Sequence, residues 1–283
     1  MSPLLQIDDY MDEIHRWIED NIDTQAGLGA LSERLGYSKR MIQMQFKKEY
    51  HATIGRYIQQ RRLHRAAIML RMTTMSITDI STSLHYSSHH NFCRAFKRYF
   101  NITPTQFRNT QLHEQPAIKF PSIYHERDFA FEIKNIPKLI ISGEKRTYTD
   151  CIYNPGLAEE KLNWLQQYFL NNTSPMTIAS RVIPDTFSFR TGRHGRVNYS
   201  AIVYSPGMSQ AINSHHAMDG LYLHCHFHGA LDSYKKLNAN IYQSLLPDIG
   251  MTQRYARKIE VFHHMKETPQ GPIIRCEQYI PIY

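Results

Sequence analysis

The chain has little of what exported proteins, metalloproteins and most hydrolases rely on. Its four cysteines, Cys93, Cys151, Cys225 and Cys276, are scattered and form no CxxC pair. That spacing argues against a disulfide framework or a structural zinc, and it predicts a reducing cytoplasm, no metal site and no cofactor. No apolar run approaches the ~20 residues of a membrane span. The acidic start, MSPLLQIDDYMDEIHRW, lacks a signal-peptide layout. There is no Gly-rich phosphate loop and no GxSxG elbow, so the common nucleotide and hydrolase motifs are missing.

Acidic residues are scarce in one stretch. Residues 32–112 hold fourteen bases and three acids, a net of +11, whereas residues 1–31 hold one base and seven acids, a net of −6. The remaining 171 residues carry eighteen bases and fifteen acids, so most of the overall +8 sits in one segment. A concentrated positive segment suits a phosphate-binding surface. With 283 residues, of which 42% are hydrophobic and 20% charged, the chain is long and apolar enough for two domains with separate cores.

The basic segment carries one pattern twice. Leu28, Leu31, Leu35, Tyr37, Ser38, Phe46, Lys47, Lys48, Tyr50, Thr53 and Tyr57 are matched by Ile77, Ile80, Leu84, Tyr86, Ser87, Phe96, Lys97, Arg98, Phe100, Thr103 and Phe107. The offset is 49 through Ser87 and 50 from Phe96, so the second copy holds one inserted residue. Each copy reads as a short helix, a turn ending in a serine N-cap, and a second helix closing on Phe and two bases. That is the plan of a helix-turn-helix, whose second helix enters the major groove. Between the copies, Ile54 to Met72 reads as one connector helix of roughly 28 Å at ~1.5 Å per residue. Successive major-groove segments lie ~34 Å apart. Leu31, Leu35, Phe46, Ile80, Leu84 and Phe96 are core by spacing, and Ile7, Met11, Ile14, Trp17 and Ile18 mark a lead helix over residues 8–22.

The segments LGYSKRMIQMQFKKEYHATIGRYIQQRRLHRAA and ITDISTSLHYSSHHNFCRAFKRYFNITPTQFR resemble the AraC/XylS family of bacterial transcription regulators. The resemblance implies a monomer on an asymmetric two-part site in double-stranded DNA, and activation through RNA polymerase. It assigns base reading to Arg40, Gln43 and Met44 on the first recognition helix, and to His89, His90, Asn91 and Arg94, beside Cys93, on the second. Related regulators usually carry Trp at the position of Arg40 and Arg at that of Met44. They carry Gln where the His pair stands. The half-sites read here are therefore expected to differ, since a neutral imidazole cannot copy the double contact of an amide to adenine. Ser38, Lys39, Lys47, Lys48, Ser87, Lys97 and Arg98 are placed for phosphate contact, the serines by capping helices that point at phosphate.

From Phe129 onward the texture changes to alternating strands and two helices, with twelve of the eighteen tyrosines in residues 113–283. This predicts an α+β domain with a cupped sheet and an aromatic-lined cavity. The segments RKIEVFHH and IIRCEQYIPI resemble the GyrI-like effector-binding domain. The chain thus divides into an all-α tandem helix-turn-helix domain (8–112), a linker (113–126) and a GyrI-like domain (127–283). The resemblance implies an amphipathic or cationic small-molecule effector, with Glu260 facing its cation. Tyr148, Trp164 and Tyr222 are weaker ligand-binding candidates, of a kind more often core than contact. The alternating His224, His226 and His228 suggest a metal, but ligands ~6–7 Å apart along a strand rarely converge unaided and no carboxylate completes a set. The cluster is also suited to sensing acid. Two rival functions are an architectural DNA-binding protein and a GyrI-like hydrolase using Cys225. The second is disfavoured because His224 and His226 point to the opposite face of the strand from that thiol.

Overall fold

A computed structural model describes residues 10–11, 13–15, 17–19, 21–22, 24, 27–110, 130–151, 156, 158–183, 196–206 and 214–283. The chain forms two compact units, Met1–Thr110 and Gln111–Tyr283. The expected linker, 113–126, lies outside the described residues. Among the described residues, no helix is long and apolar enough to cross a membrane.

The first unit is helical. α1 (Leu28–Leu35), α2 (Lys39–Tyr50), α3 (Ile54–Met72), α4 (Ile77–Ser83), α5 (His89–Phe100) and α6 (Pro104–Asn109) follow in order. The sequence repeat is also a packing repeat. Phe46 meets Tyr57 edge-on at 5.3 Å, and their counterparts Phe96 and Phe107 meet edge-on at 5.4 Å. Phe46–Tyr50 (4.7 Å) and Phe96–Phe100 (4.5 Å) repeat in the same way. Both α2 and α5 end on a left-handed residue, His51 and Asn101, and both following helices are capped by threonine, Thr53 and Thr103. Leu31, Phe46, Ile80, Leu84 and Phe96 are buried as their spacing predicts, and Leu35 is half-buried.

The inserted residue of the second copy shows its effect at the cap. Ser38 caps α2, accepting from the Met41 N–H at 3.2 Å. In the second copy the cap is Ser88, which accepts from the Asn91 N–H at 3.1 Å. Ser87, the expected cap, instead accepts from the Asn91 side-chain amide at 2.8 Å. An extra residue in the turn moves the helix start by one, and the serine that follows takes the role.

The connector α3 is not simply a solvated basic helix. Arg61 donates to the Glu19 carboxylate from Nε at 2.7 Å and Nη2 at 2.8 Å, and Arg65 adds a contact at 3.3 Å. Arg62 donates to the carbonyls of Ile22 and Thr24, both at 2.9 Å. Part of the +11 segment therefore clamps the acidic lead segment, which is helical at its described positions from Tyr10 to Asn21, and does not face outward.

The second unit is a closed antiparallel barrel in the order β1-β3-β2-β5-β6-β4. Its strands are β1 (Phe131–Cys151), β2 (Met176–Val182), β3 (Arg196–Tyr204), β4 (Ser214–Ala230), β5 (Lys258–Lys266) and β6 (Ile273–Pro281). α7 (Glu159–Phe169) follows β1. α8 (Leu231–Asn240) follows β4 and runs into a π-helical turn, Ile241–Leu245. The order strand, helix, strand, strand thus occurs twice. β1 shifts register between Ile136 and Leu139, where Pro137 offers no ladder N–H. Gly143 is required where β1 passes β3, because a Cβ there would collide with the Val203 carbonyl.

Period-two alternation gives the sheet two faces. Leu223, Cys225 and Ile280 pack with Leu237, Ile241 and Leu246 of the helical segment after β4. Ala179, Ile202, Met218, Tyr222 and Ile259 form a second cluster on the opposite face.

Candidate nucleic-acid interface and sensor site

Helical spacing sorts the residues of α2 and α5 onto an inner and an outer side. Ile42 and Phe46 of α2 are buried, which turns Arg40, Gln43, Met44 and Lys47 outward at i, i+3, i+4 and i+7. Phe92, Ala95, Phe96 and Phe100 anchor α5 and leave His89, His90, Asn91, Arg94, Lys97 and Arg98 exposed. Met44 is 62% exposed, unusual for so apolar a side chain and suited to contact with a thymine methyl. Lys39 and Lys48 are exposed as well, and Ser38 and Ser87 lie at the surface beside the helix starts. Cys93 is half-buried and lies 3.5 Å from the His89 ring within its own helix. Every base-reading and phosphate candidate of the sequence is therefore on an outer side of its unit, in two equivalent sets.

The second unit divides the four ligand-binding candidates. Glu260 of β5 is fully buried on the helix-covered face. Its carboxylate is bonded by Lys161 of α7 and by the Tyr234 hydroxyl of α8, and Lys258 lies 3.2 Å away. Lys258 also donates to Asn238 at 2.6 Å. Burial pushes the Glu260 pKa up, but the two ammonium groups outweigh it and hold the carboxyl at about 2. Tyr148 stacks on Tyr199 at 4.9 Å, Trp164 meets it edge-on at 5.9 Å, and the Lys161 ammonium lies 5.7 Å from its ring. Glu260, Tyr148 and Trp164 thus form one neighbourhood. Tyr222 lies on the opposite face, under the Arg254 guanidinium at 5.4 Å.

What the sequence missed is the internal counter-charge. Lys161 sits in an amphipathic helix pattern at a position that reads as surface, yet it is 1% exposed. It lies 99 residues from Glu260, and no local signal pairs them. The cavity that the sequence led one to expect corresponds to a cleft on the opposite face. Its volume is about 450 Å³, and its lining includes Ile136, Leu139, Ile141, Met218, Ile259 and Tyr279. This wall is largely aliphatic, whereas an aromatic lining was expected; Tyr204 and Tyr279 are the aromatic residues in it.

Cys225 is buried, and burial pushes its thiol up to about 12. A thiol held protonated at neutral pH is a poor nucleophile.

Residues 31–110 match the family described as Helix-turn-helix domain. The chain is 41% identical over 93 residues to the regulatory protein SoxS of Salmonella typhimurium, covering 33% of this chain and 87% of SoxS. It is 27% identical over 280 residues to the F1 operon positive regulatory protein of Yersinia pestis, covering 96% of this chain and 88% of that protein. The right origin-binding protein of Escherichia coli is 24% identical over 281 residues, covering 94% of this chain and 95% of that protein. For YkgA of Escherichia coli, 34% identical over 152 residues, the chain spans 63% of the relative's length.

Proposed function

The chain belongs to the AraC family of transcription regulators, and on that premise we propose that it is an activator that reads two successive major-groove segments as a monomer. The observation that carries this reading is the equivalence of the two outer sides, with Arg40, Gln43 and Met44 on α2 and His90, Asn91 and Arg94 on α5, over matching aromatic cores. α3 spans ~28 Å, near the pitch of one DNA turn, and joins the two readers within one chain. RNA polymerase is the expected protein partner. The positive-regulator name of a relative aligned over 96% of this chain supports activation. Regulation without catalysis, in the cytoplasm, fits the protonated Cys225 thiol and the four free cysteines.

The second unit is the sensor in this reading, of GyrI-like type, and its effector is an amphipathic small molecule. A volume of about 450 Å³ falls within the range of small-molecule pockets, ~300–1,000 Å³. Glu260 serves a cationic effector only by exchange, because the incoming cation has to displace Lys161 or Lys258 from the carboxylate.

Arg40→Ala is expected to weaken specific binding by ~1–3 kcal/mol and to relax preference at one or two base pairs of one half-site. Lys47→Ala lowers affinity for all sequences alike and reduces the salt slope by about one ion. Selection of bound sequences from a random pool, with each variant, separates the two effects. An unchanged motif for Arg40→Ala contradicts its base-reading role.

A further inference from the structure

His224 is 2% exposed and has a carboxylate at each ring nitrogen. Its Nε2 lies 3.0 Å from Glu277 Oε2, and its Nδ1 lies 2.9 Å from Glu132 Oε1. The Glu277 side is firmly set. Glu277 also takes hydrogen bonds from His263 Nε2 at 2.8 Å and the Tyr279 hydroxyl at 2.9 Å, and the Tyr279 ring stacks on His224 at 4.4 Å. An imidazole that donates from Nε2 to Glu277 leaves its Nδ1 lone pair pointing at Glu132. Where Nδ1 carries no proton, the two lone-pair-bearing atoms repel each other unless a metal cation sits between them; a ring protonated on both nitrogens would donate to both carboxylates. His226, two residues along the strand, brings a third donor. One ligand atom each from Glu132, His224 and His226 lie within 4.8 Å of one another.

We propose that Glu132, His224 and His226 form a binding site for a divalent transition-metal ion of the zinc or cobalt type, with Glu277 as the residue that positions His224. A second proton on His224 serves both carboxylates but makes no use of His226, whereas a metal ion engages Glu132, His224 and His226 together. Two imidazoles and one carboxylate are a borderline donor set that suits zinc and its neighbours. Bonds of ~2.0–2.2 Å place tetrahedral ligands roughly 3.3 Å apart. The buried His224 is already fixed, and the exposed Glu132 and His226 side chains close the remaining distance. Glu277, itself held by His263 and Tyr279, is the carboxylate behind a histidine that metal sites typically use to fix tautomer and ring direction. Lys134 bridges to Glu132 at 2.7 Å and has to leave that oxygen on metal entry. Glu132 is exposed and Lys134 partly so, so the exchange costs little. The site is open to solvent on one side and leaves room for a water or an external ligand. His228, expected by alternation to share the strand face, is exposed, and Glu132 of β1 takes the place the sequence had left without a carboxylate.

The test titrates untagged full-length protein with ZnCl₂ by calorimetry and with CoCl₂ by visible absorption. Wild type is expected to take up one equivalent and to give a Co²⁺ spectrum of low coordination number. Glu132→Gln and His226→Ala, both at exposed positions that leave the fold intact, each weaken Zn²⁺ binding at least about tenfold and remove that spectrum. His228→Ala changes neither. Wild-type titration by both His226→Ala and Glu132→Gln, or an equal loss with His228→Ala, overturns the assignment.

Discussion

Glu260→Gln is expected to destabilise the second unit by roughly 3–5 kcal/mol, because it leaves two buried ammonium groups without their counter-charge. Lys161 and Lys258 are 1% and 7% exposed, so water cannot replace the lost carboxylate. The substitution keeps the shape of the side chain, which isolates the electrostatic effect. The same contact makes stability depend on pH. The Glu260 carboxyl is held at about 2, below its ordinary value near 4.5. Its contribution is therefore full above about pH 4.5 and disappears as pH falls toward 2. Wild type should lose stability across that window, and Glu260→Gln should lack this part of the loss. Urea unfolding of the full chain at several pH values, following the transition of the second unit, checks both points. A cost below about 1 kcal/mol at neutral pH would mean that Lys161 and Lys258 find other partners.

The second large effect concerns the outer bases of the reader helices. Replacing Lys47, Lys48, Lys97 and Arg98 together by alanine is expected to lower affinity roughly a thousandfold near 0.1 M salt, and to reduce the log–log salt slope by about 3.6, at ~0.9 per phosphate contact. All four are exposed and close the recognition helices in equivalent places, so helix packing is left untouched. Arg61 and Arg65 provide the contrast. They are equally basic in the sequence but are committed to Glu19. Their loss should appear as reduced stability of the first unit with the salt slope retained. Fluorescence anisotropy with a labelled duplex from 50 to 300 mM salt, where the screening length falls from ~14 to ~6 Å, reads the slope. A slope unchanged by the fourfold substitution would remove these residues from the phosphate interface.

The helical unit was the more legible half because its information is local. Buried and exposed positions of α2 and α5 follow from 3.6-residue spacing alone, and Ile54–Met72 runs uninterrupted because nothing after Gly55 breaks it. The cap at Ser88 shows the limit of the repeat, since aligned letters did not reveal which serine begins the helix. The barrel unit depends on contacts between distant residues. In β2 the consecutive residues Ile178, Ala179 and Ser180 are all buried, so the strand offers no period-two alternation to read. Lys161 reached Glu260, and Glu132 reached His224, across 99 and 92 residues. Charge pairing at that range leaves no trace in composition or periodicity. The alternation of His224, His226 and His228 was readable, but the carboxylates beside the cluster come from β1 and β6, and only barrel closure brings them there.

Native mass measurement on a duplex of roughly two helical turns carrying the selected site tests the tandem-reader account most directly. Both recognition helices lie in one chain, joined by α3, so the account predicts one protein chain per duplex, bound to an asymmetric sequence. Two chains on a single minimal, palindromic site would contradict it, because each chain would then be using only one of its two readers.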